Sequence, residues 1–287
     1  MLGQRVITAL VLVAVLLGAL LASGPWPLVA LLILMAACAL WEWLRFTWPR
    51  GDSIWPLIAA AILAAGLLAL AGQWLQAAPA QWSLDLKRLL NYWLLPAVAL
   101  IWVIVVTVMV VQGRVSERSD TAALRAFAVL AIVAAWVALV ELFLAYGAWF
   151  LLSFLALIWF ADIAAYFVGK AFGKHKLAPR VSPGKTLEGA AGGVLAGVVW
   201  VLASSYLDGS FGAVLKQIWP LWAVVAIAAF LAVISIVGDL FESLLKRRAG
   251  VKDSSQLLPG HGGVYDRIDA LLPVAPIALL LTGVWLS

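Results

Sequence analysis

Charge is scarce in this sequence. Only 11% of its 287 residues are Asp, Glu, Lys or Arg, and 66% are hydrophobic. Soluble domains carry roughly 25% charged residues, so a soluble globular protein is excluded. Cysteine is nearly absent as well. The single Cys38 rules out an internal disulfide and any multi-cysteine metal site. Inside an apolar run it reads as a small packing residue. The two histidines, His175 and His261, are too few and too poorly placed for a zinc site. No HExxH, GxSxG or GxGxxG pattern occurs. There is no low-complexity region, long linker or convincing repeat, which leaves a single membrane domain over 1–287.

What the sequence has instead is long apolar runs. About 20 apolar residues at 1.5 Å rise cross the hydrocarbon core of a bilayer. In lipid each backbone N–H and C=O must be satisfied within its own segment, which selects helices. A barrel would need period-two alternation, and these runs are apolar all round. Nine runs stand out, at 5–22, 26–46, 54–75, 91–112, 122–144, 148–169, 189–207, 218–238 and 270–286. The expected fold is an all-α polytopic membrane protein of about nine transmembrane helices. The first run has a basic Arg5 and small residues in "LLASG", as a signal peptide would. Its apolar stretch is longer than the usual h-region, so an uncleaved first helix is expected. Tryptophans near run ends, such as Trp26, Trp41, Trp43, Trp93, Trp219 and Trp285, read as anchors at the headgroup level.

Lys and Arg set the orientation. With the N-terminus inside, 16 of the 19 fall on inner segments: Arg5; Arg45 and Arg50; Arg114, Arg118 and Arg125; Lys170, Lys174, Lys176, Arg180 and Lys185; Lys246, Arg247, Arg248, Lys252 and Arg267. Only Lys87, Arg88 and Lys216 fall outside. The positive-inside rule therefore predicts an N-in, C-out chain with the loops 170–188 and 239–269 in the cytoplasm. The net charge of +5 is explained without a nucleic-acid partner.

The polar chemistry lies at the ends of two runs. "SIVGDLFESLLKRRAGVKD" continues the eighth run, and on a helix Asp239, Glu242, Ser243 and Lys246 form one polar stripe. An acid at that depth is costly unless paired or bound to a cation. An Asp239–Lys246 contact at an ordinary helix end would serve equally. In "WFADIAAYFVGK" Asp162 and Tyr166 share a face, with Gly169 beneath them. A structural hydrogen bond between helices is the alternative role there. The basic loop that follows contains "SPGKT". Pro179 stands where a Walker loop needs its first glycine, and no strand is expected before it, so a P-loop is rejected. Lys185 and Thr186 remain phosphate contacts by charge and hydrogen bonding. In "GHGGVYDRID" the glycines let the backbone bend and approach a ligand. Asp266 and Asp269 share a face if a helix begins there, and Arg267 and His261 supply donors. Carboxylates beside many cations suit a nucleotide–magnesium complex, because Mg²⁺ takes one or two carboxylates plus phosphate oxygens.

These residues carry a resemblance. "SLLKRRAGVKDSSQLLPGHGGVYDRID", Ser243 to Asp269, resembles the signature of the phosphatidate cytidylyltransferases, without departure. "ADIAAYFVGKAFGKHKLAPRVSPGKTLEG" resembles the bacterial members of that family. The likeness is close over about the last 130 residues. Residues 1–145 match as generic membrane helices, and 146–287 hold the catalytic helices and cytoplasmic loops. The resemblance implies cytidylyl transfer from CTP to phosphatidic acid, with Mg²⁺, at the bacterial inner membrane. It leaves room for a second metal or a monovalent cation. It implies Asp239 and Asp266 as metal ligands, with Asp162 a weaker candidate. Asp269, Lys252 and Arg267 complete the catalytic set. Substrate binding falls to Lys185, Thr186, Ser182, Ser243, Lys246, Arg247, His261, Gly262 and Gly263. A homodimer is compatible with the sequence, which does not fix the oligomeric state. The rivals are a membrane nucleotidyl- or phosphotransferase acting on a different lipid phosphate, and a cation transporter with intramembrane acids. The acids cluster on one side of the membrane, which disfavours the transporter. The DGxxAR-type motif of CDP-alcohol phosphotransferases is missing.

Overall fold

The computed structural model describes residues 2–48, 53–119 and 121–286, with no account of the side chains of 2–5 and 286. Arg50 and the side chain of Arg5, both counted for orientation, lie outside the described residues. The chain forms helices α1 (Leu2–Leu20), α2 (Trp26–Thr47), α3 (Trp55–Trp74) and α4 (Gln81–Gln112) in its first part. Next comes α5 (Ala122–Phe172), then a hairpin of β1 (Lys176–Ala178) and β2 (Ser182–Thr186). Helices α6 (Leu187–Ser204), α7 (Phe211–Ile218), α8 (Leu221–Ala249), α9 (Tyr265–Ile268) and α10 (Leu271–Thr282) follow. This is an all-α membrane protein with one small hairpin.

Six of the described helices, α2 to α6 and α8, are long and apolar enough to cross a membrane. The nine runs fall on these six helices and on the shorter α1 and α10. The fifth and sixth runs share α5, which is broken at Gly147, where φ is 82° and ψ −173°. Helix α1 runs over Leu2–Leu20, and its part with described side chains, Val6–Leu20, is apolar. The last run yields only a 12-residue helix, α10, with Pro276 inside and Gly283 ending it. The fourth run starts earlier than expected. Helix α4 begins at Gln81 and carries Lys87 and Arg88 in its first turns, and it contains π-helical turns at Leu90–Leu94 and Ile101–Val106. Between them sits Pro96, which cannot donate an i→i−4 bond and forces such an adjustment.

Helices α5 and α6 approach closely because α6 presents Gly189, Gly193 and Gly197 every fourth residue. A Cβ on Gly189 would lie 2.7 Å from the Ala165 carbonyl oxygen, and one on Gly193 would lie 2.7 Å from that of Ala161. Small residues at this spacing let membrane helices pack backbone to backbone. The effect is to hold Asp162 and the start of α6 side by side.

The aromatic core corrects one expectation. Trp43 is fully buried rather than at the headgroup level. It stacks on Tyr265 at 5.1 Å between ring centroids and meets Trp102, Phe127 and Phe241 edge-on. Such pairs add about 0.5–1.5 kcal/mol each beyond burial. This cluster joins α2, α4, α5 and α8 directly beneath the loop that carries Asp266. Trp26, at the start of α2, and Trp93, within α4, are exposed.

Candidate active site

Three pieces of chain build the site: the α5 end with the hairpin, the C-terminal turns of α8, and the loop from Val251 through α9. The segment "SPGKT", read as a bent loop with no strand before it, is strand β2. It pairs antiparallel with β1, with Lys176 opposite Thr186 and Ala178 opposite Ser182. The hairpin closes through Pro179 and Arg180, and the buried Val181 fixes it to the core. Arg247 on α8 donates from Nε to the Val181 carbonyl at 3.3 Å. Thr186 is committed as the N-cap of α6, its hydroxyl accepting from Gly189 N–H at 3.1 Å.

Strand β2 delivers Lys185 to Asp239, and the two form an ion pair and a hydrogen bond. The alternative Asp239–Lys246 contact is not the one formed. Asp239 reaches this place because its neighbour Gly238 lets α8 touch the start of α10. A Cβ there would run into the Asp269 carbonyl and Pro273. Asp269 and Asp162 lie close enough to Asp239 and Lys185 to feel their charges. Burial, and then the Asp239 charge, pushes the Asp269 carboxyl well above its usual range. Asp162, Tyr166, Gly169, Ser182 and Lys185 line one cavity of about 380 Å³, so the face predicted for Asp162, Tyr166 and Gly169 is present and opens into the site.

Asp266 belongs to a second pairing. Its Oδ1 accepts from Lys246 Nζ at 2.7 Å. Its Oδ2 accepts from Gly263 N–H at 2.7 Å, Ser254 N–H at 3.0 Å and Ser254 Oγ at 2.9 Å. Lys246 also pairs with Glu242 at 2.6 Å, one turn back on α8. Burial alone would raise the Asp266 carboxyl. The hydrogen bonds, shared with Glu242 and received from Gly263, Lys246 and Ser254, outweigh it and hold the group below the usual carboxylate range. Asp266 and Asp269 have different partners. Asp266 pairs with Lys246, whereas Asp269 Oδ1 accepts from Ala270 N–H at 2.8 Å and the group lies within electrostatic reach of Asp239.

The glycines shape this loop. Gly260 and Gly262 have φ of 76° and 81°, and the Leu258 N–H meets the Gly262 carbonyl at 2.9 Å to close a tight turn. A Cβ on Gly263 would collide with Ser254 and Glu42. His261 turns its carbonyl to Arg267 Nη2 at 3.0 Å, while its Nδ1 is buried without a partner among the described residues. Ser243 is half-buried beside these groups, whereas Lys252 stands exposed and is not drawn into either pairing.

Glu42 was not among the expected residues, yet it anchors the loop. It is fully buried on α2. Its Oε1 accepts from Ser255 Oγ and from Val264 N–H at 3.0 Å; its Oε2 accepts from Tyr265 N–H at 2.6 Å and lies 3.1 Å from Ser254 Oγ, whose single proton it shares with Asp266. A lone acid inside the run "ALWEWLRF" was the available signal, since an ionisable residue in a membrane helix has a function by default. The same signal marks Glu141, which is buried against Asn91 at 3.1 Å and Lys87 at 3.5 Å, away from this site.

Asp239 and Asp266, the two carboxylates expected to share a cation, pair with Lys185 and Lys246 respectively. Among the described residues no group of three or more His, Cys, Asp or Glu side chains is placed to hold a metal unaided. Both Asp266 oxygens are already occupied. The donor chemistry around Asp239, Asp269 and Asp162 is hard oxygen, which suits Mg²⁺ when phosphate oxygens complete its shell. The site thus fits an ion that arrives with a polyphosphate better than a resident one. Chemically it offers lysines to phosphate groups and carboxylates to cations at one end of the helix bundle.

Comparison with known proteins agrees with this chemistry. The model of the cytidylyltransferase family matches residues 3–285. A phosphatidate cytidylyltransferase of Pseudomonas aeruginosa is 40% identical, with 99% of each chain covered. One from Haemophilus influenzae is 35% identical over 96% of each chain. One from Bacillus subtilis is 43% identical over 49% of each. The likeness therefore extends past the last 130 residues into the N-terminal helices that supply Glu42. This chain belongs to the cytidylyltransferase family.

Proposed function

We propose that the protein transfers the cytidylyl group of CTP to phosphatidic acid, giving CDP-diacylglycerol and pyrophosphate in phospholipid synthesis. The observation that carries this reading is the pair of lysine–carboxylate contacts, Lys185 with Asp239 and Lys246 with Asp266, at the end of α8. Full-length likeness to phosphatidate cytidylyltransferases supports the choice of substrates. A phosphate oxygen of phosphatidic acid attacks the α-phosphorus of CTP. The new P–O bond forms as the bond from the α-phosphorus to the bridging oxygen breaks, and pyrophosphate leaves with that electron pair. No protein nucleophile is needed. The protein positions two anions and neutralises their charge.

Lys185 and Lys246 are the groups that do this. Each is held extended by a carboxylate, so its ammonium is already aimed when a phosphate arrives to compete for it. Arg267 adds a third cation, and the tight turn at Gly262 keeps the backbone low over the site. Mg²⁺ entering with CTP would supply charge neutralisation of the triphosphate, held by Asp239 and Asp269 with Asp162 nearby. A second metal or monovalent cation is compatible with that set. The Lys and Arg distribution supports an N-in, C-out chain with the site at the cytoplasmic face of the bacterial inner membrane. Purified protein supplied with CTP labelled in its α-phosphate tests the reading. Label should enter the lipid phase only when phosphatidic acid is present.

A further inference from the structure

A wide cleft lies outside the polar site. It measures about 640 Å³ and is set against the smaller polar cavity of about 380 Å³ that holds Asp162 and Lys185. Leu177, Ala190 and Ile236 line both, so the two spaces share one wall. The lining of the larger cleft is mostly apolar, with Thr107, Gln112 and Arg180 its polar members. On α8 it is the stripe Val233, Ile236, Val237 and Leu240, one face of a helix by spacing. The stripe runs into the bundle from the turn that carries Asp239. On α6 the lining is Ala190, Ala191 and Val194, and on α4 it includes Val110 and Val111. Val111 and Val233 are exposed at the rim, and both belong to helices long and apolar enough to cross a membrane. The cleft is therefore open sideways to lipid. Its roof is the hairpin itself: Leu177, Ala178, Pro179 and Val181 close the end nearest the polar site.

We infer that this cleft is an acyl-chain subsite for the lipid substrate, so that one chain lies along α8 while the phosphate sits at Lys185. The inference rests on the proposed reaction with phosphatidic acid and adds where the lipid binds and how its chains are read. The chemistry matches on both sides of the shared wall: apolar surface for a hydrocarbon chain, cations for a phosphate monoester. The hairpin contributes to both spaces. Leu177 to Val181 touch the chain and Ser182 to Thr186 touch the headgroup, so the distance from chain to phosphate is set by one rigid strand pair. The volume is within the usual range for small-molecule sites, about 300–1,000 Å³. Ala191 and Val194 line the apolar cleft alone, and their small side chains leave its depth open.

The test narrows the cleft without touching the polar cavity. Val194→Phe and, separately, Ala191→Leu are assayed in mixed micelles with dipalmitoyl and dihexanoyl phosphatidic acid at saturating CTP. Detergent-phase thermal unfolding confirms that each variant folds. A short chain does not reach the blocked region, so kcat/KM for the dihexanoyl substrate should stay within about twofold of the parent. For the dipalmitoyl substrate it should fall by about tenfold or more, as pocket-filling changes do. Val194→Ala, which enlarges the cleft, should leave the dipalmitoyl rate intact or raise it. Equal effects on both substrates, or no effect on either, overturn the subsite and leave the cleft as a place for bulk lipid. If the parent itself converts neither substrate, the proposed reaction fails, and the subsite fails with it.

Discussion

Glu42→Gln is the perturbation whose outcome the structure specifies most closely. Each oxygen of the buried Glu42 carboxylate faces one serine hydroxyl and accepts from one backbone N–H of the loop that leads into α9. Glutamine keeps the shape but turns one of those oxygens into an NH₂ group. The serine on that side can rotate and accept instead. The backbone N–H of Val264 or Tyr265 cannot, and a buried donor left unpaired costs about 1–3 kcal/mol. The bonds that survive are to a neutral acceptor rather than a charged one, each weaker by roughly 1 kcal/mol. The total is about 2–5 kcal/mol, a large part of the 5–15 kcal/mol typical of folded domains. The cost should fall on the loop more than on the helices. Hydrogen exchange in detergent should speed up across 253–266 while α3 and α6 keep parental protection. Activity should fall because Asp266 and Lys246 lose their frame. A Glu42→Gln protein with parental exchange in that loop and parental thermal stability would refute the reasoning.

Other outcomes follow from the same structure. Gly193→Leu places side-chain atoms against the Ala161 carbonyl and should lower stability by about 1–3 kcal/mol or more, read as a thermal shift in detergent. Lys185→Ala removes the partner of Asp239 and should cost about 2–4 kcal/mol in kcat/KM, as loss of a partly desolvated charged contact does; parental kinetics for both substrates would reduce the hairpin to a topology signal. The folded-state value of Asp266 lies below its ordinary value of about 3.9, so the ionised group favours the fold above that pH, and the contribution is lost as pH falls through the folded value. Asp266→Asn should therefore flatten the acid side of a plot of unfolding temperature against pH. For topology, the exposed Gln256 and Asp208 are suitable cysteine positions in a Cys38→Ser background. An impermeant reagent outside intact cells should label Asp208→Cys and not Gln256→Cys.

Much of this was legible in the sequence, and what was not has physical reasons. All nine apolar runs are helical, because spanning lengths of apolar residues leave the backbone no other way to satisfy itself. The limits of crossing helices were less legible. Gly147 breaks α5 without a change in hydropathy, and the polar ends of α4 and α8 continue as helix past the apolar run. The residues that meet at this end of the bundle were named from their concentration in two stretches. Their partners were not, because partnership is tertiary. Lys185 reaches Asp239 across 54 residues, and Glu42 reaches Tyr265 across 223, distances that no periodicity encodes. The hairpin was missed because Pro and Gly in "SPGKT" suggest bends, and three- and five-residue strands are too short to show alternation. Trp43 was misread for a related reason: a tryptophan near a run end anchors at the interface only if nothing packs over it, and here Tyr265 does.

The central claim is cytidylyl transfer to a lipid phosphate at the Lys185–Asp239 pair. Its most direct test measures label from α-phosphate-labelled CTP in the organic phase, together with released pyrophosphate, for purified parent and Asp239→Asn proteins with Mg²⁺ and phosphatidic acid. The account predicts one pyrophosphate per labelled lipid, strict dependence on phosphatidic acid, and no activity in the well-folded variant. Labelling without phosphatidic acid, or an Asp239→Asn protein as active as the parent, would contradict it.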